Sequence, residues 1–108
     1  MVKQTLWVSS NNVDYFCWLT EGQIKVFDIS LNAYSKVIEL DKFDSTVNSI
    51  AVLKKADKEE CYLVGLGSVN ILFYDITNAK IERIEVGGRA KMYCFLYLDS
   101  LSAMRNWH

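Results

Sequence analysis

Short runs of apolar and β-branched residues, broken by Gly, Ser, Asn and Asp, recur along the whole chain. Val, Ile, Tyr, Phe and Thr dominate them, the residue types that suit a pleated, half-buried surface. The pattern predicts strands at Thr5–Val8, from Phe16 to a turn at Thr20–Gln23, and from Ile24 to Asp28. A further strand falls between Asn32 and Leu40, and others at Val47–Leu53, before a turn at Gly65–Ser68, at Asn70–Asp75 and at Lys80–Val86. Lys80–Val86 partly alternates polar and apolar residues, as a half-exposed outer strand does. Lys91–Leu98 reads as one more strand, and only Ser100–His108 has the character of a short helix.

The runs repeat. Ile24 matches Ile71, Phe27 matches Tyr74, Asp28 matches Asp75 and Ile29 matches Ile76, an offset of 47. One residue is then skipped, and Asn32–Leu40 lies over Asn78–Val86 at an offset of 46. Each copy reads strand, tight turn, strand ending aromatic-Asp, short loop, strand, with one more strand upstream. Four-strand repeats of roughly 40–50 residues are the mark of propeller blades.

Ile24-Lys-Val-Phe-Asp-Ile-Ser30 resembles the third strand of the WD-repeat β-propeller family, which commonly ends in Trp-Asp. Here the dipeptides are Phe27-Asp28 and Tyr74-Asp75. No Gly-His pair precedes them and the single histidine is His108, so the family's Asp-His-Ser-Trp network is absent in its usual form. The resemblance implies an all-β, propeller-like segment of two four-stranded antiparallel blades plus the first strand of a third. Blade one takes residues 1–41, blade two 46–86, and 87–108 hold the third blade's strand and a tail. Two blades leave outer faces uncovered, because blades bury their faces on neighbours and rings have at least four. The expected remedies are further blades from a longer chain, self-assembly into a homo-oligomer, or a protein partner.

A rival architecture is a pleckstrin-homology-like barrel with a C-terminal helix. Tyr15–Phe27 resembles its second and third strands, and Ser100–Trp107 the start of its helix. Against it stand the internal repeat, a count of about nine strands where that barrel has seven, and the cation-free loop Ser9–Asp14.

Charge narrows the function. Twelve Lys and Arg face thirteen Asp and Glu, so there is no basic excess to neutralise a nucleic-acid backbone. The longest apolar run, Met92–Leu98, is too short to cross a bilayer. Three scattered cysteines, Cys17, Cys61 and Cys94, form neither a disulfide framework nor a zinc signature and point to the cytoplasm.

Catalytic candidates are few. A triad or a Cys-His pair would have to use the C-terminal His108. Asp28 and Asp75 fit better as acceptors at the turn after each aromatic-Asp strand. Gly65-Leu-Gly67 is no dinucleotide fingerprint, since Asn70 stands where the third glycine belongs. The mixed-sign run Lys54–Glu60 reads as a solvated loop. Phe16, Trp18, Phe27, Phe73 and Tyr74 fall in strands, where packing between blades accounts for them. No catalytic residue, metal or cofactor is expected.

The expectation is a non-catalytic protein-interaction scaffold that displays its rim loops. Lys42, Asp44 and Arg89, in the connections between blades, are the candidate binding residues. The alternatives are an oligomeric propeller lectin, for which Trp7 or Trp18 would stack on sugars, and a lipid- or protein-binding barrel.

Overall fold

A computed structural model of the chain describes residues 1–43, 47–68 and 70–85. The expected strand at Lys91–Leu98 and helix at Ser100–His108 lie outside the described residues.

The chain is all-β. Strands β1 (Val2–Ser10), β2 (Val13–Thr20), β3 (Gln23–Asp28) and β4 (Ala33–Glu39) form one sheet. β5 (Ser49–Lys54), β6 (Cys61–Leu66), β7 (Asn70–Asp75) and β8 (Lys80–Glu85) form a second. In each, the strands lie in chain order and pair antiparallel. The rival barrel does not form among the described residues: eight strands make two separate meanders, and no ladder joins β4 to β5.

Local chemistry sets the turns. Asn11 and Asn12 both have positive φ, 53° and 65°, and close a two-residue hairpin between β1 and β2. Asparagine tolerates this conformation, and the primed turn matches the twist of the paired strands. β1 and β2 therefore run longer than the apolar pattern alone predicts. The turns after β3 and β7 are copies of each other. Leu31 N–H donates to Asp28 Oδ1 at 3.1 Å, and Asn78 N–H to Asp75 Oδ1 at 3.2 Å. Asn32 and Ala79 close these turns, both at φ 52°.

That match corrects the repeat register. The offset stays at 47 through the turn, since Asn32 pairs with Ala79 rather than Asn78. Phe27 then faces Tyr34 and Tyr74 faces Ile81. The skipped residue falls later, at a bulge in β4: Val26 faces Lys36, which leaves Ser35 as the extra residue.

The two sheets stack through apolar faces. Cys17, Leu19, Ile24, Val26 and Ile38 of the first sheet share one core with Ile50, Leu63, Leu72 and Tyr74 of the second. Leu40 and Val47, in the connection between the sheets, are buried in the same core. Polar bridges fix the alignment. The Gln4 amide donates to Ile50 O at 2.7 Å and accepts from Ile50 N–H at 2.9 Å. Ser10 Oγ accepts from Cys61 N–H at 2.9 Å and shares a hydrogen bond with Thr77 Oγ1 at 2.6 Å. The far face of the second sheet, with Leu53, Val64, Leu66, Ile71 and Phe73, is also buried.

The loop between β5 and β6 is more than a solvated charge run. Lys55 Nζ lies 2.6 Å from Asp75 Oδ2 and 3.0 Å from Glu60 Oε1, and 4.9 Å from the Tyr62 ring centroid. Only the tip, from Ala56 to Glu59, is exposed. Its Glu59 carbonyl accepts from Asn11 N–H, which ties the loop to the β1–β2 turn.

Candidate docking face

The rim residues chosen from sequence do not come together. Lys42 ends a single 3₁₀ turn, Leu40–Lys42, and is exposed, while Leu40 beside it is anchored in the core. Asp44 and Arg89 lie outside the described residues.

The open chemistry is instead on the first sheet's outer face. Side chains alternate across a strand, so Phe16 and Trp18 point opposite to Cys17 and Leu19. Cross-strand pairing brings Trp7 opposite Phe16, Phe16 opposite Phe27, and Phe27 opposite Tyr34. Five rings therefore touch in series. The centroid distances are 4.8 Å for Trp7–Phe16, 5.4 Å for Phe16–Trp18, 5.7 Å for Trp18–Tyr34 and 5.4 Å for Tyr34–Phe27. Trp7 is 71% exposed and Tyr34 53%. Each such contact adds about 0.5–1.5 kcal/mol beyond area burial and fixes the ring rotamers.

Lys25 stands among the rings, its Nζ 5.9 Å from the Trp18 centroid and 6.0 Å from that of Tyr34. This is cation–π distance. The rings themselves are inclined to one another by 38–86°. They interlock like a packed core and offer no coplanar shelf for a sugar chain.

Among the described residues, Asp28, Asp75 and Cys17 are taken up by structure. Asp28 accepts from the Ser30 hydroxyl at 2.7 Å, which with the Leu31 and Ser30 amides outweighs burial and holds its carboxyl below the usual range. For Asp75, burial pushes upward, but hydrogen bonds from Lys55 and Asn78 prevail and the carboxyl is lowered. Burial pushes the Cys17 thiol up to about 12, far from a reactive thiolate. Among the described residues no three His, Cys, Asp or Glu side chains gather as a metal site, and no helix is long and apolar enough to cross a membrane.

Sequence reasoning named Trp7, Phe16, Trp18 and Phe27, but assigned them to separate roles and passed over Tyr34. The signal was the strand register, which places all five on one face.

Fold and face together define an all-β chain of two stacked meanders with an open aromatic sheet surface. Comparisons with protein-family models, with curated proteins and with solved structures find no match to it.

Proposed function

We propose that the chain is a non-catalytic protein-interaction module whose docking surface is the aromatic face of β1–β4. The observation that carries this reading is the unbroken series of five rings on a face that leaves Trp7 and Tyr34 more than half exposed. Contiguous exposed aromatic surface marks interaction sites, and Trp and Tyr are the residues that most often dominate them. Mutual ring contacts hold the side chains in place before a partner arrives, so docking costs little ordering entropy.

The WD-like resemblance supports the same role. A propeller-like sheet is a scaffold element completed by neighbouring sheets or by a protein partner. The buried thiol at Cys17 fits a reducing, cytoplasmic setting.

Radical footprinting tests the proposal. Trp7 and Tyr34 should oxidise readily in the purified chain and be protected several-fold inside cells of the source organism. Equal oxidation in both settings refutes it. A lectin would have to stack its sugar on the exposed Trp7 alone, and a glycan titration that leaves tryptophan fluorescence unchanged eliminates it.

A further inference from the structure

We propose that the aromatic face receives an antiparallel β-sheet of a partner protein, one with a small residue opposite Trp18 and an acidic residue opposite Lys25. The inference rests on the docking reading above and names the partner's chemistry.

The repeat supplies the argument. Register equates Phe16 with Leu63, Trp18 with Gly65, Lys25 with Leu72, and Phe27 with Tyr74. On the first sheet this set faces outward. On the second sheet its equivalents face the first, and Leu63, Leu72 and Tyr74 are buried in the shared core. Corresponding faces thus point the same way, and the sheets stack head to tail. The covering surface in that stack is an aliphatic sheet face carrying Cys17, Ile24 and Val26. The open face of the first sheet is the same structural surface, one step earlier, with Trp7 and Tyr34 exposed on it.

The cover cannot be a second copy placed by the same stacking. A Cβ at Gly65 would stand 3.3 Å from Ile24 Cδ1, so Ile24 packs closely over a residue with no side chain, and even a methyl there would push it back by a few tenths of an ångström. The equivalent of Gly65 on the open face is the indole of Trp18, and the equivalent of Ile24 is Ile71. A second copy would drive Ile71 onto Trp18. Moreover Val64, Ile71 and Phe73, the side chains that would have to dock, are already buried. The partner sheet therefore carries a small residue where Ile24 sits in the intramolecular stack. Lys25 stands where the second sheet has the apolar Leu72, and covering its ammonium without a counter-charge is unfavourable. A carboxylate on the incoming sheet meets that demand.

The test places the photo-crosslinker benzoylphenylalanine at Trp7, or separately at Tyr34, in the full chain within cells of the source organism. Leu31, 74% exposed on the β3–β4 turn and off the face, serves as the control position. The expected adducts join the chain to alternate residues of β-strands in a partner protein, with at least about tenfold lower yield from the Leu31 position. Lys25→Glu should cut the yield about tenfold, the loss of one charge pair, while Lys25→Arg retains it. Adducts to a helix or a glycan, or to a second copy of this chain, overturn the sheet partner. Full yield with Lys25→Glu overturns the acidic contact. Absence of adducts at both face positions, with no footprint at Trp7, overturns the docking reading itself.

Discussion

Gln4 offers a direct test of how the two sheets hold together. It lies on β1, and its side-chain amide pairs with the peptide of Ile50 on β5, the edge strand of the second sheet. One donor and one acceptor meet one acceptor and one donor, as a neighbouring strand's peptide would. Gln4→Leu keeps the bulk and leaves the Ile50 N–H and C=O without that pairing. Each lost bond costs about 1 kcal/mol, so the variant should lose about 2 kcal/mol. In a domain of this size that is a fall of about 8–15 °C in Tm.

Gln4→Glu makes the same contact depend on pH. The ionised carboxylate still accepts from Ile50 N–H, but its second oxygen confronts the Ile50 carbonyl, lone pair against lone pair. The protonated acid restores the donor and reproduces the amide. The introduced carboxyl therefore has a folded-state pKa above its unfolded value of about 4.3. A raised group contributes its stability fully below the unfolded pKa and loses it as pH rises through the folded one. Urea midpoints for variant and parent, compared from about pH 3.5 to 8, should nearly coincide at the acid end and differ by about 2 kcal/mol at pH 7. A difference that is flat with pH, or a Gln4→Leu variant as stable as the parent, refutes the role given to this amide.

Other consequences follow from the buried polar contacts. Ser10→Ala removes the acceptor for Cys61 N–H and the partner of Thr77, and should cost about 1.5–3 kcal/mol in chemical denaturation, more than Thr77→Val. Asp75 has a lowered carboxyl, so its contribution is present above the unfolded pKa of about 3.9 and lost as pH falls through the folded value. Asp75→Asn should accordingly flatten the acid limb of a stability–pH curve below about pH 4, at a cost of about 2–4 kcal/mol at neutral pH, since the largely buried Lys55 ammonium loses the carboxylate 2.6 Å away. Cys17 should react with a thiol reagent only as fast as the chain opens, and addition of urea should accelerate it steeply. Gly65→Ala should destabilise the stack, with partial rescue by Ile24→Val, because the new methyl meets Ile24 Cδ1 first.

The strands and their repeat were legible because both copies keep the same chemistry at the same spacing. An aspartate at the end of β3 or β7 accepts the amide three residues on, so Asp28 and Asp75 mark equivalent turns in sequence and in space. The bulge at Ser35 was not legible. It changes which residues pair without changing residue type, and a one-residue gap can be placed at the turn equally well. The Asn11-Asn12 hairpin escaped for a related reason. Its signal is a pair of positive φ angles, while the surrounding Ser and Asp residues also suit an open loop.

The open aromatic face was hidden by a deeper ambiguity. Phe16, Cys17, Trp18 and Leu19 are apolar on both sides of β2, so alternation cannot tell which side meets the second sheet. What decides it is shape. The second sheet presents Gly65, and only a slim aliphatic face like that of Ile24 and Val26 approaches it closely enough to fill the space. Indole and phenyl rings on the same side of β2 would hold the sheets apart, so they turn away from the interface. The same rings then give the first sheet a surface unlike the one they avoid. Bulk at Trp18 and charge at Lys25 make this surface a poor match for an aliphatic sheet face like the one that covers Gly65.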